Sequence, residues 1–278
     1  MIAYDSSLDA LISPELRETL FLPGQAYSPR QLAMEAARLA YVRTEASEAE
    51  RARLAHALGR VGFDTPQRFD APLGGAHAFG AFRPSDGTAL VAFRGTQIDD
   101  PRDLLADLQA ILVPWAASAG RVHAGFAATA LSLMPAIETW LAREAGARRL
   151  ILSGHSLGAA MATLAASAWR PTLLVTLGSP RVGDAAFADT VAPLASERIV
   201  NCCDLVTRVP PALPFVAEYV HVALRLYIDR TGAVHAQIGD EAIDEDRAKA
   251  RAAFAPGQVP ARDFADHAPI NYLRASFP

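Results

Sequence analysis

The residues best equipped for chemistry in this chain gather around one serine, in Gly154-His155-Ser156-Leu157-Gly158. A glycine stands two residues to either side of the hydroxyl. That spacing lets a chain pass from strand to helix through a turn too sharp for larger side chains, leaving the serine projecting above the sheet. The flanks agree, because residues 150–153 form an apolar run and residues 157–169 an alanine-rich one. A helix that starts just beyond Ser156 also aims free amide groups and its positive end at a reacting carbonyl oxygen. The chemistry implied is attack on a carbonyl carbon by Ser156. The plain alternative is a glycine-containing turn with an inert serine, and the strand before and helix after count against it.

A serine hydroxyl is a weak nucleophile at neutral pH, so it needs an imidazole to take its proton and an acid to orient that imidazole. In enzymes with this elbow the order along the chain is serine, acid, histidine. Asp204 ends the apolar run 198–203, at the carboxyl end of a predicted strand, where open α/β sheets place their sites. Its rival Asp184 reads better as the N-cap of a helix beginning at Ala185. Three histidines follow Ser156. His221 sits in a β-prone run and His235 in the second arm of a hairpin, both structural positions. His267, in Asp266-His267-Ala268-Pro269, lies in a break suited to a loop reaching back over the sheet, and it is the predicted base. His155 neighbours the nucleophile but points elsewhere, and reads as packing. For the oxyanion, Arg94-Gly95-Thr96 follows a β-prone run, so Thr96 offers a backbone N–H and a hydroxyl while Leu157 offers a second N–H; each such donor is typically worth about 3 to 4 kcal/mol in the transition state.

The elements that must hold these groups are legible in the periodicity. Residues 29–58 carry apolar side chains at helical spacing and read as one long or two short helices. Residues 77–82 and 88–93 flank Pro84-Ser85-Asp86-Gly87 as a hairpin. Beyond them helices over 126–145, 157–169 and 185–194 alternate with strands over 149–153, 172–177 and 198–203. Continuous apolar strands separated by helices imply a mostly parallel sheet with helices on both faces, a three-layer α/β sandwich. Residues 219–228 and 233–238, around the turn 229–232, predict an edge hairpin. The remainder, through 247–254 and 263–275, is mostly helical.

No repeat, low-complexity tract or linker divides the 278 residues, so a single domain over 1–278 is expected. Half the residues, 51%, are hydrophobic and 20% charged, which is enough for a large core and excludes disorder as the default. The net charge of −4 and the absence of any basic block exclude nucleic acid as a partner. No uncharged stretch reaches transmembrane length. Met1 to Ala10 carries Asp5 and Asp9 and does not read as a signal peptide. Cys202 and Cys203 are adjacent, with Cα atoms about 3.8 Å apart across a trans peptide, too close for an unstrained disulfide. These features predict a reducing, cytoplasmic setting, with secretion left open. No metal-ligand spacing or phosphate loop is present, so no cofactor is expected.

The chain resembles the class 3, or fungal-type, lipase family of α/β-hydrolases. The matching pieces are Phe93-Arg94-Gly95-Thr96, Val122-His123-Ala124-Gly125-Phe126, the serine elbow, Gly178-Ser179-Pro180-Arg181-Val182-Gly183-Asp184, Asp204 ahead of Val209-Pro210-Pro211, and the late His267. They cover residues 90–211 firmly and extend more loosely to Tyr272. The resemblance implies Ser156 as nucleophile, Asp204 as acid, His267 as base, and Thr96 with Leu157 as oxyanion donors. It implies structural roles for His123, His221 and the 178–184 run, and a lid over 97–118 whose apolar residues Leu104, Leu105 and Leu108 touch a lipid interface transiently. The implied activity is hydrolysis of carboxylic esters, of triacylglycerol type, through an acyl-enzyme on Ser156. Alternatives are an esterase, phospholipase A1 or acyltransferase on the same triad, and a non-catalytic lipid-binding protein. Ala159 departs from the family, which usually has a second glycine after the elbow.

Overall fold

Strands buried on both faces have no polar side to alternate with, and the central strands here are apolar at nearly every position. The computed structural model describes residues 2–72, 75–96, 111–144, 147–211 and 218–277. In chain order the N-terminal part contains helices α1 (Leu8–Ile12), α2 (Pro29–Leu39) and α3 (Glu48–Gly59), then strands β1 (Gln67–Asp70), β2 (His77–Arg83) and β3 (Thr88–Phe93). A small hairpin, β4 (Leu112–Pro114) with β5 (Arg121–His123), leads into α4 (Ala124–Arg143). There follow β6 (Arg149–His155), α5 (Leu157–Trp169), β7 (Leu173–Leu177), α6 (Ala185–Val191) and β8 (Ser196–Asn201). The chain closes with β9 (Arg225–Ile228), β10 (Val234–His235), α7 (Asp240–Ala252), α8 (Arg262–Ala265) and α9 (Pro269–Leu273).

Eight strands make one sheet in the order β1-β2-β3-β6-β7-β8-β9-β10. From β3 to β9 every pairing is parallel, while β1, β2 and β10 add antiparallel edges. This is the mostly parallel three-layer α/β sandwich anticipated from the alternating pattern, and it agrees with the α/β-hydrolase fold that the resemblance implies. The period-2 geometry of each strand divides the core. Leu90, Ile151, Val175 and Ile199 face a layer built from α2 and α9, where Leu32, Ala36, Ile270 and Tyr272 are buried. Val91, Leu152 and Leu174 face the other layer, packed by Leu133 and Ile137 of α4, Met161 and Leu164 of α5 and Phe187 of α6.

The stretch 29–58 resolves as two helices. Ser28 and Gln31 form a reciprocal capping box with Pro29 at the first turn, and Ser47 accepts from the Glu50 amide to start the second helix. The predicted strand over 219–228 is shorter than expected, since only β9 joins the sheet. Val220 instead makes a single bridge to Gly183, so His221 lies outside any strand. Asp184 accepts from the Phe187 amide as an N-cap, as its position suggested. Cys202 and Cys203 are free, buried, and hold their sulfurs 3.6 Å apart. Among the described residues no helix is long and apolar enough to cross a membrane. Of the lid expected over 97–118, residues 97–110 lie outside the described residues; the remainder enters β4 and a turn in which Trp115 donates its indole N–H to Ser167.

Candidate active site

Ser156 sits at the junction of β6 and α5 with φ 58° and ψ −127°, in the left-handed region that non-glycine residues avoid. Such a residue persists only where its surroundings over-determine it. Here the Ser156 amide donates to the Leu177 carbonyl at 3.0 Å and the Ser156 carbonyl accepts from Ala159 at 3.0 Å. The flanking glycines fit because they touch: a Cβ on Gly154 would run into the Gly158 carbonyl, and one on Gly158 into the Phe93 carbonyl. A side chain at Gly158 would push the elbow away from β3, and one at Gly154 would push the start of α5 away from β6.

Asp204 lies just past the end of β8 and is fully buried. Its Oδ2 accepts from His267 Nδ1 at 2.9 Å and from the Tyr272 hydroxyl, and its Oδ1 accepts from the Val206 amide at 2.8 Å. Burial, followed by the charge of Asp204, raises the Tyr272 phenol well above its ordinary value, so it serves as a neutral donor. His267 stands in the turn between α8 and α9. With Nδ1–H committed to Asp204, its Nε2 is left as a buried lone pair without a hydrogen-bond partner among the described residues. That is the tautomer a base requires.

The two halves of the site are joined through His155. Its Nε2–H donates to the His267 carbonyl at 2.7 Å, its Nδ1 accepts from Tyr41 OH at 2.8 Å, and its ring lies 4.4 Å from the His267 ring. His155 therefore does more than the packing expected of it, because it fixes the backbone of His267. Gly178, directly after the Leu177 carbonyl that receives the Ser156 amide, completes the fit. Its φ is +60°, and a Cβ there would approach Asp204 Oδ2 to 2.8 Å and the His267 ring to 3.1 Å. The His267 loop is pinned from behind by Asp266, which accepts from Tyr4 OH, the Cys203 amide and Arg262, while Asn201 donates to the Asp266 carbonyl. Burial outweighs Arg262 and raises the Asp266 carboxyl above its ordinary value. Tyr272, Tyr41 and Asp266 carried no sequence signal; Tyr41 reaches the site from 114 positions before His155, and Asp266 and Tyr272, although close to His267 in the chain, are marked out only by their tertiary contacts.

Thr96 and Leu157 line the same cleft as Ser156, a space of about 970 Å³ that also meets Pro180 and Val206 and runs along α4 past Phe126, Leu131 and Ala136. Its walls are mainly apolar. His123 borders it and caps α4 by accepting from the Phe126 amide, in keeping with a structural role. The other two late histidines stay apart from Asp204: His221 donates to the Thr207 carbonyl, and His235 pairs with Asp229 on the edge hairpin.

Burial holds both His155 and His221 neutral, well below the ordinary imidazole value, and at His221 the Arg198 and Arg181 guanidiniums add to the effect. In the unfolded chain both titrate near pH 6.5. Between the folded and unfolded values the unfolded chain binds more protons, so stability is full above pH 6.5 and is lost as pH falls. Each imidazole is expected to cost about 1.4 kcal/mol per pH unit below that point. Thermal melts across this range check it, and a midpoint that stays flat on acidification from about pH 7 to 5 would contradict it.

Residues 90–213 match the family described as lipase (class 3). A secreted mono- and diacylglycerol lipase of Fusarium solani is 39% identical over 87 residues, covering 29% of this chain and 25% of that protein. A chloroplastic phospholipase A(1) of Arabidopsis thaliana is 32% identical over 108 residues, covering 32% of this chain and 24% of the relative. Among solved structures, the triacylglyceride lipase of Rhizomucor miehei superposes with a TM-score of 0.60 at 25% identity, covering 72% of this chain and 78% of that one. The chain thus spans about a quarter of the length of the first curated relatives it matches. The Fusarium relative is by its name secreted, which overturns the expectation of a cytoplasmic setting for this chain. The physical reason is plain: a large buried core needs no disulfide, so unpaired cysteines do not mark a reducing compartment.

Proposed function

We propose, from the match of residues 90–213 to the class 3 lipase family, a serine carboxylic-ester hydrolase of triacylglycerol-lipase type, organised as one domain over 1–278. The observation that carries the proposal is the His267 imidazole, held by Asp204 through Nδ1 with its Nε2 lone pair unclaimed among the described residues, together with a serine in an elbow conformation whose amide is bonded to Leu177, the neighbour of the Gly178 that packs against that ring. In the first step Ser156 Oγ attacks the ester carbonyl carbon and His267 Nε2 takes the hydroxyl proton. The negative charge on the carbonyl oxygen is met by N–H donors at Leu157, at the start of α5, and at Thr96, just past β3. Collapse breaks the bond to the alcohol, which leaves with the proton from His267, and the acyl group remains on Ser156. Water then attacks the acyl-enzyme with His267 as base again, and the acid departs. Asp204 stabilises the imidazolium in both halves of the cycle.

The apolar cleft along α4 supports an acyl chain as the part of the substrate held in place, and a head group facing outward. The match to a phospholipase A(1) favours a second reading, in which the same acyl-serine chemistry acts on the sn-1 ester of a phospholipid. Transient contact with a lipid interface through the 97–118 segment belongs to the proposal. A panel of soluble short-chain esters, emulsified medium-chain glycerides and phosphatidylcholine separates these readings. The expected result is turnover of the glycerides that rises when they pass their solubility limit. Turnover of the phospholipid alone favours the second reading, and failure to hydrolyse any carboxylic ester would end both.

A further inference from the structure

Arg198 projects from the middle of β8 into the layer beside Thr176, and only 7% of its surface is exposed. Among the described residues no carboxylate pairs with it, and its Nε is buried with no hydrogen-bond partner. A buried guanidinium without a counter-ion is costly, and native proteins ordinarily pair such a group. The surroundings here add charge of the same sign. Arg225 stands directly across the parallel ladder from Arg198, and Arg181 lies close enough to repel it. Burial, then Arg225 and Arg181, lowers the Arg198 guanidinium to about 10. The charge of the same three arginines reaches His221, whose Nδ1 is buried and has no hydrogen-bond partner among the described residues. Arg225 meets one carboxylate, the exposed Asp240, and Arg181 donates to the Arg208 and Pro210 carbonyls. The chain carries a net charge of −4, so this concentration of cations is local and not a reflection of composition.

We infer that Arg198, with Arg181 and Arg225, forms a binding site for an oxyanion of the phosphate class on the flank of the catalytic cleft. Guanidinium forks match tetrahedral oxyanions through paired N–H donors, and three forks offer more donors than a single carboxylate has acceptors for. Arg181 and Arg225 are half-buried and give the anion a way in from solvent, while Arg198 supplies the buried floor. Two walls of the site continue into the cleft. Pro180 precedes Arg181, and Val206 precedes Thr207, whose carbonyl receives His221. An anion here therefore ties together the two segments that border Ser156 on that side. The phosphate group has two sources, free inorganic phosphate and a phospholipid head group.

The test is thermal unfolding of the full chain in inorganic phosphate against chloride and acetate at equal ionic strength, with R198M and R225M beside the wild type. Phosphate is expected to raise the wild-type midpoint, neither control anion to do so, and both variants to lose the shift. Without phosphate, R198M should melt at or above the wild-type temperature, because it removes an uncompensated buried charge. If R198M does not fold, R225M and calorimetric titration of the wild type with phosphate carry the test. Co-sedimentation with phosphatidic acid vesicles forms the second arm: binding lost in R225M without a response to free phosphate assigns the site to a head group. The inference is overturned if the wild type shows neither response, or if R198M keeps the phosphate shift. Ester hydrolysis is read separately, so failure of this site leaves the hydrolase reading standing, and the converse.

Discussion

Ser156→Ala is expected to lower kcat on a soluble ester by about 10⁴- to 10⁶-fold, the range seen when the nucleophile of a triad is removed, with little change in KM. The reason is that no other group can form the covalent bond that divides one difficult displacement into two easier ones. What survives should be the modest rate that the oxyanion donors and substrate positioning give to water attack. Stability should change little. The Ser156 hydroxyl is no partner in the hydrogen bonds that hold the elbow, which run through its backbone amide and carbonyl. Kinetics and thermal melts on the same preparation check both halves, and a variant within tenfold of the wild-type rate would remove Ser156 from the chemistry.

Asp204→Asn should cost about 10⁴-fold in kcat through the tautomer of His267. The carboxylate accepts from His267 Nδ1, from Tyr272 and from the Val206 amide, so both oxygens are in use. An amide keeps two of those acceptances at best, and its NH₂ turned toward His267 would donate to Nδ1. The imidazole would then carry its proton on Nε2 and could not accept from Ser156. Because Asp204 is fully buried, some loss of stability accompanies the substitution. The control is Tyr272→Phe, which removes one donor to the same carboxylate but leaves the tautomer alone, and should cost far less activity. Equal losses in the two variants would mean that Asp204 acts through packing and not through His267.

The elbow was legible because it is local: two glycines, a change from strand to helix period, and a serine between them occupy five consecutive residues. Asp204 and His267 followed from chain order and from their places at a strand end and in a loop. The clamp behind them was hidden. Tyr41 to His155 and Tyr4 to Asp266 are contacts between residues 114 and 262 positions apart, and nothing in the local composition of either partner marks them. His155 illustrates the difference, since its sequence position says only that it cannot reach the neighbouring serine. What it grips is set by where α9 packs against the sheet. The run 219–228 was misjudged for a related reason: alternating aliphatic residues show that a segment suits a strand, while the available partner edge decides whether it becomes one. Val220 found only Gly183, and the ladder began at Arg225. Strand β1 was missed because Gln67-Arg68-Phe69-Asp70 is an edge with a single buried residue, Phe69.

A fluorophosphonate probe reports directly on whether one serine is activated by the imidazole behind it. Incubated with the folded chain, it should form a single covalent adduct that peptide mass spectrometry places on Ser156, and the adduct should vanish in His267→Ala as well as in Ser156→Ala. An unlabelled wild-type chain, or an adduct that persists on Ser156 at full rate once His267 is gone, would contradict the account.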